Sequence, residues 1–363
     1  MQTLDSSSQN YSSLVWLRFS KNKTALFSLV LIVLLVLAAV FAPFLSPNDP
    51  LKRYGENIYD APANLYWFDE DGSFHLRPFV YGKTSELDPV TFLPVITEDR
   101  SQRIHLTFFS KGWEYELFGI SASRHLVGLE DGSPLFLIGS DNLGRDLLSR
   151  CLDGSRITLL FSFCVVSVVV VVGTLVGMLS GYLGGTFDLI AQRIAELALA
   201  FPAVPLYLAL IAVLPATANS TMVFVMLVVI LSCLQWAFIA RQVRGQVMSL
   251  RGLDYIRSAK SVGAKDMRIV MRHILPNITS NVVVLATMMF PTVVLTESFF
   301  SFLSVGIKAP MISWGSLLNA AGQYQTIGSY PWLLAPVGFI LIAVLGFNAL
   351  GDGLRDAVDP YSS

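Results

Sequence analysis

The residues of this chain best placed to do chemistry lie in a cationic run that includes Arg241, Arg244, Arg251, Arg257, Lys260, Lys265, Arg268 and Arg272. Within it Tyr255, Ile256, Ala259, Val262 and Gly263 recur at three/four spacing, which predicts a short amphipathic helix starting near Asp254. Gly263-Ala264 end or bend that helix, and a second short helix runs on through Ile269 and His273 to Pro276, where the chain restarts. Two uses are open to such a segment. It is a protruding helix that fits a partner's groove, or a charged loop whose helix lies at a membrane surface. Catalysis is not expected, because the sequence has no nucleophile elbow, no phosphate-binding Gly-Lys-Ser/Thr loop and no dinucleotide fingerprint. Cys151, Cys164 and Cys233 lack metal-ligand spacing, and His75, His105, His125 and His273 are scattered, so no metal or cofactor is expected on this chain. Two further carboxylates stand out because they fall in or beside apolar runs, where an ionised group is costly unless partnered or functional. Glu196 stands near Arg193 and is expected to pair with it. Glu297 lies deeper and is the candidate for the wall of a path across a membrane.

The elements that must position these residues are apolar spans. Of 363 residues, 53% are hydrophobic and 14% charged, and the net charge is -1, which argues against a nucleic-acid partner needing a basic face. Six segments reach the roughly 20 apolar residues that cross a hydrocarbon core of about 30 Å. They run from Ala25 to Leu45, Ile157 to Leu183, Ala195 to Leu214, Met222 to Ala240, Val282 to Leu303 and Leu333 to Leu350. The first is longer than a signal-peptide core and is expected to be retained. Arg18, Lys21 and Lys23 before it, and the 241–278 loop, belong on the cytoplasmic side by the positive-inside rule, which places both termini inside. Leu14–Phe19 suits an interfacial helix. Gly173, Gly177 and Gly181 share one face of the second span, either as a packing seam or as the lining of a path.

Residues 46–156 are different: polar, rich in Asp, Glu, Pro and aromatics, and too long for an unstructured loop. Alternating runs such as Ile104–Phe109, separated by Asp71-Gly72, Lys111-Gly112 and Asp131-Gly132, predict short strands and hairpins outside the membrane. Tyr66, Trp67, Phe68, Phe74, Trp113 and Tyr115 are its own core or a ligand platform. The fold expected is therefore an all-α polytopic membrane protein of six helices with a small mixed or β-rich extracytoplasmic insert between the first two. Its parts are residues 1–24, the first span at 25–45, the insert at 46–156, a core at 157–352 containing the 241–278 loop, and a tail at 353–363.

The pattern Asp254-Tyr255-Ile256-Arg257, Ala259, Gly263-Ala264, Ile269, then His273-Ile274-Leu275-Pro276-Asn277 resembles the coupling-helix loop of ABC importer permeases. Arg257 and Ser258 stand where that family usually has Glu and Ala. Lys21–Ala25 with Phe41–Pro47, Ile138–Asp146, Gly184-Gly185 through Phe201-Pro202, Ser301–Ile307 with Ser313-Trp314-Gly315, and Gly351–Ala357 with Asp359-Pro360 are similar to the C-type subunit of the oligopeptide/dipeptide branch. Arg77–Tyr81 and Phe108–Gly112 resemble a subgroup with an enlarged insert. The resemblance implies a type I importer permease in a bacterial inner membrane, with no catalysis of its own. Implied partners are a second permease, two cytoplasmic ATPases that bind the ATP, and an extracytoplasmic substrate-binding protein. It implies that Asp254, Tyr255, Ile256, Arg257, Ala259, Gly263, Ala264, Ile269, His273 and Pro276 couple to the ATPase. Peptides are the implied cargo, and opines, glycosides or another small solute are the alternative. From a different class, a secondary transporter would need inverted repeats or broken helices with midplane ion ligands, neither of which the sequence displays, and a receptor would need only its insert to bind ligand.

Overall fold

A computed structural model describes residues 11–69, 71–87, 94–213, 215, 217–322 and 328–359. Expectations that reach residues 1–10, Leu214 or Pro360 onward lie outside the described residues. The chain is mostly helical and forms two compact units, one from Leu34–Leu159 and Glu297–Leu341, the other from Leu160–Thr296 with the terminal segments.

The helices are α1 (Tyr11–Lys21), α2 (Lys23–Val40), α3 (Ala42–Leu45), α4 (Leu147–Leu183), α5 (Gly185–Ala200), α6 (Ala203–Ala212), α7 (Ser220–Arg251), α8 (Asp254–Ser261), α9 (Asp266–Ile269), α10 (Leu275–Phe302), α11 (Trp314–Ala321) and α12 (Ala335–Val358). Five helical stretches are long and apolar enough to cross a membrane, and the bent pair α5–α6 supplies a sixth if counted as one span. The third predicted span is thus not one straight helix: α5 and α6 meet at a bend of 90°. The cause is local. Phe201 precedes Pro202, whose ring disfavours the helical conformation in its predecessor, and Phe201 is accordingly extended (φ -83°, ψ 141°). The second span is longer than its apolar run, because α4 begins ahead of Ile157, at Leu147.

In the unit holding the insert, four strands form an antiparallel meander in the order β1 (Tyr66–Phe68), β2 (Phe74–Leu87), β3 (Pro94–Leu117), β4 (Ile120–Leu129). β3 is far longer than the short strand expected. Its first half pairs with β2 (Val80↔Ile104) and its second with β4 (Leu106↔Leu129), so one strand serves two ladders. Asp71-Gly72 and Asp131-Gly132 are turns, with Gly72 and Gly132 at positive φ. Lys111-Gly112 is not: Gly112 lies inside β3, and a Cβ there would stand 2.5 Å from the His125 ring. The β3–β4 turn is instead Phe118-Gly119, both at positive φ, as a tight hairpin requires.

Phe79, Val80, Tyr81, Leu106, Tyr115 and Leu129 are buried in this unit. His125 is also buried, its ring beside those of Trp113 and Tyr115. Its Nδ1 lies 2.9 Å from the Pro43 carbonyl and its Nε2 3.0 Å from that of Trp113, which ties β4 to α3. Trp67, Phe68 and Phe74 are exposed, so only some of the insert's aromatics are core. The Ile138–Asp146 stretch is a knot of turns ahead of α4. Asp141 accepts from the backbone of Leu143 and Arg145 and pairs with the Arg145 guanidinium at 2.8 Å. Asp146 caps α4 by accepting from the Leu148 and Ser149 backbone, and burial pushes its carboxyl up to about 6.

In the other unit, Gly173, Gly177 and Gly181 of α4 form a seam against α7. A Cβ on them would come within 2.7 Å of Ile239 Cβ, 2.5 Å of the Ala240 carbonyl and 2.9 Å of the Arg244 carbonyl, respectively. Of the two readings of these glycines, the geometry fits close helix packing. Asp188 on α5 takes a bidentate pair from Arg244 on α7 at 2.6 and 2.7 Å and also accepts from Ser180 Oγ. Phe19 and Ala25 pack on Leu350 and Ala357, while Trp16 and Leu17 of α1 are exposed.

Candidate functional site

The segment singled out by its charges folds as two short helices joined by a defined turn. α7 ends at Gly252, and α8 opens with Asp254 in its first turn, where a carboxylate complements the helix dipole. Its exit is a Schellman motif: Ala264 N donates to the Ala259 carbonyl at 3.1 Å, and Gly263 N to that of Lys260 at 3.0 Å. Gly263 sits at φ +86°, the left-handed conformation that this turn requires and that residues with a Cβ resist. A Cβ there would meet open space, so the demand is conformational and not steric.

The ten residues expected to couple divide by direction. Ile256 and Ile269 are buried with Val270 and Ile274, and they seat the segment on the protein. Asp254, Tyr255, Arg257, Gly263 and Pro276 are exposed, and Ala259, Ala264 and His273 are half-buried. Leu253, Val262 and Met267 join Tyr255 in the exposed apolar set; Val262 is 88% exposed. Spacing alone places Val262 with the helix, but only its exposure shows that it points away from the core. Tyr182, near the end of α4, donates to Asp266 Oδ1 at 2.8 Å and ties a spanning helix to this loop. No spacing signal links residues so distant in sequence.

Pro276 has no N–H to give the Arg272 carbonyl. The chain accommodates this by widening: Val270–Ile274 is a π-helical turn, and Leu275 N donates to the Val270 carbonyl. Asn277 Nδ2 reaches back to the His273 carbonyl at 2.6 Å. The His-Ile-Leu-Pro-Asn stretch therefore builds the joint between α9 and α10.

Also in this unit is a cavity of about 880 Å³, lined by α5, α6, α7 and α10 residues and by Arg355. Most of its wall is apolar (Phe201, Leu234, Phe238, Met288, Met289), with side-chain amides from Gln235, Gln242 and Asn281. Among the described residues, Arg355 is the one cation on the wall and no carboxylate lines it. Glu196 pairs with Arg193 at 2.8 Å on an exposed surface, as expected.

Glu297 belongs to the other unit and is 2% exposed. Ser301 Oγ donates to its Oε1 at 2.6 Å and Thr158 Oγ1 to its Oε2 at 3.2 Å. Those hydroxyls in turn accept from the backbone of Ile307 (3.1 Å) and Trp314 (3.2 Å), and the buried Trp314 donates through Nε1 to the Cys151 carbonyl. One carboxylate thus anchors α4, α10, the 303–313 turn and α11. Glu297→Ala should lower the stability of the purified protein by about 2–4 kcal/mol, because the buried hydrogen bonds from Ser301 and Thr158 to this carboxylate are lost. Glu297→Gln, which keeps one acceptor oxygen, should fall between. A thermal unfolding curve for Glu297→Ala superimposable on the wild type would refute this role.

Residues 173–361 match the family model described as binding-protein-dependent transport system inner membrane component, and residues 10–62 match the N-terminal TM domain of oligopeptide transport permease C. The chain belongs to this importer-permease family, in its peptide branch. The family match contains α7 through α10, and so the whole of the 241–278 segment described above. Over 345 residues the chain is 30% identical to the oligopeptide transport system permease protein OppC of Bacillus subtilis, covering 95% of this chain and 88% of that one. It is 29% identical over 344 residues to the dipeptide transport system permease protein DppC of Alkalihalophilus pseudofirmus, covering 94% and 88%. The glutathione transport system permease protein GsiD of Pectobacterium atrosepticum is 40% identical over 231 residues, which is 64% of this chain and 74% of that one. The permease is thus a multi-pass membrane protein and a non-catalytic subunit of an ABC-type importer.

Proposed function

We propose that this permease forms half of the translocation pathway for oligopeptides or dipeptides and receives the power stroke of a cytoplasmic ATPase through α8. The observation that carries the reading is the Schellman-closed helix. Ile256 and Ile269 fix it from beneath, and Tyr255, Val262 and Met267 are left exposed around it. A second, homologous permease completes the pathway, two ABC ATPases bind the ATP, and an extracytoplasmic binding protein delivers cargo. The chain sits in a bacterial inner membrane with both termini and the 241–278 loop inside, as its flanking Lys and Arg residues favour. The proposed path on this subunit is the amide-bearing cavity, and the role proposed for Glu297 is to anchor the Ser301–Trp314 region of its own unit. Gln235, Gln242 and Asn281 suit the amides of a peptide backbone, which are common to cargoes of any side chain. Glutathione, cargo of a relative, shares that backbone chemistry; opines and glycosides do not.

The substitution Val262→Cys tests the docking. In membranes holding the whole importer the introduced thiol should form a cross-link to the ATPase subunit, and the yield should change when nucleotide is added. A transport-competent importer in which that thiol reacts freely with aqueous maleimide and never cross-links to an ATPase would remove α8 from this role.

A further inference from the structure

The insert carries apolar side chains where an aqueous domain should not. Phe108, Phe109, Phe118 and Ile120 on the β3–β4 hairpin are 65%, 56%, 79% and 70% exposed. They lie outside the buried cluster of Val80, Leu106, Leu129 and Leu135 in this unit. The hairpin is fixed to the point where the first span ends. His125 lies against the Pro43 carbonyl, and the Phe109 ring approaches that of Phe44 at 6.1 Å. The end of that span is itself apolar and exposed at Leu37 and Phe41. The exposed apolar surface of a membrane-spanning helix therefore continues, through Phe44, onto the hairpin.

The hairpin's exposed charges are two basic residues, Lys111 and Arg124, and two acidic ones, Glu114 and Glu116, on the tip side of that pair. Lys111 and Arg124 are directly opposite each other across β3 and β4, both exposed, and neither joins an ion pair among the described residues. Arg124 also donates through its guanidinium to the Phe109 carbonyl at 3.1 Å, and like charges at opposed positions repel, which an external anion at Lys111 and Arg124 would relieve. Aromatic groups beside Lys and Arg suit the boundary between headgroup and acyl chain, where rings enter the apolar edge and cations meet phosphate.

We propose that the β3–β4 hairpin is an interfacial anchor that lies on the outer leaflet beside the first span. Phe108, Phe109, Phe118 and Ile120 enter the headgroup–acyl boundary, and Lys111 and Arg124 contact phospholipid phosphate. The anchor holds the insert at a fixed height over the bilayer without contact to any other subunit.

The test uses the complete importer in nanodiscs of phosphatidylethanolamine and phosphatidylglycerol. Single cysteines replace Phe108, Phe118 or, as an aqueous control, the exposed Glu130. Cys164 and Cys233 are changed to serine, and the buried Cys151 is left in place. Each is labelled with an environment-sensitive fluorophore. Labels at 108 and 118 should be quenched several-fold more by headgroup-proximal nitroxide lipids than by aqueous iodide, with the order reversed at 130. Lys111→Glu with Arg124→Glu should reduce the lipid quenching at both positions. Iodide quenching at 108 and 118 equal to that at 130 would overturn the proposal. So would shielding that appears only when a substrate-binding protein is added, because the surface would then be a protein interface.

Discussion

Replacing Gly263 by arginine should reduce cargo uptake by on the order of 100-fold, equivalent to about 3 kcal/mol of lost coupling, while the protein remains in the membrane. Two effects combine. The Schellman turn needs a left-handed residue at this position, and side chains other than Asn or Asp cost about 1–2 kcal/mol there. An arginine also projects a long cation from the end of a helix that must fit a partner's surface. The two can be separated. Gly263→Asn keeps a residue that tolerates the left-handed region and should retain most uptake. Gly263→Ala imposes strain without bulk and should lie between. The measurement is uptake in whole cells normalised to permease abundance. Equal uptake across the series would show that this turn plays no part in coupling.

A comparably large effect is expected at Gly177, through folding. A Cβ on Gly177 would lie 2.5 Å from the Ala240 carbonyl and 2.9 Å from Val243 Cβ. The obstacle is backbone, so no rotamer change relieves it. Gly177→Leu should separate α4 from α7 and cost at least about 3 kcal/mol, since overpacking here has no flexible neighbour to absorb it. The pair most disturbed would be Asp188–Arg244, which joins α5 to α7 beside the seam. The expected result is loss of monodisperse protein on size-exclusion chromatography, with residual material melting well below wild type. Gly245, where a Cβ meets nothing, is the control, and Gly245→Ala should behave as wild type. Wild-type stability of Gly177→Leu would mean that the seam is not a tight contact.

The sequence by itself determined five of the six spans, the presence of a β-rich insert, the amphipathic helix at Asp254 and its end at Gly263. These are local matters: twenty apolar residues have to leave water, and a Gly after a 3.6-residue pattern is a stop signal. It also determined the family, because the coupling pattern and the flanking motifs survive as short contiguous strings. Tertiary structure alone decided where side chains point and what they meet. Spacing puts Ile256 and Val262 in the same short helical segment, but only packing buries the first and exposes the second. Ser301, four residues on, is within reach of Glu297 on its own helix, but the second partner, Thr158, is 139 positions away in sequence and no pattern announces it. Gly112 reads as a turn because nothing nearby announces that the His125 ring must fit against it. The break at Phe201-Pro202 is written in the sequence, yet hydropathy averages over it, since an apolar run has the same mean whether the backbone continues or bends by 90°. Burial of a carboxylate, a glycine against backbone and a residue's direction are long-range facts, and a one-dimensional pattern carries them only when the partners are neighbours in the chain.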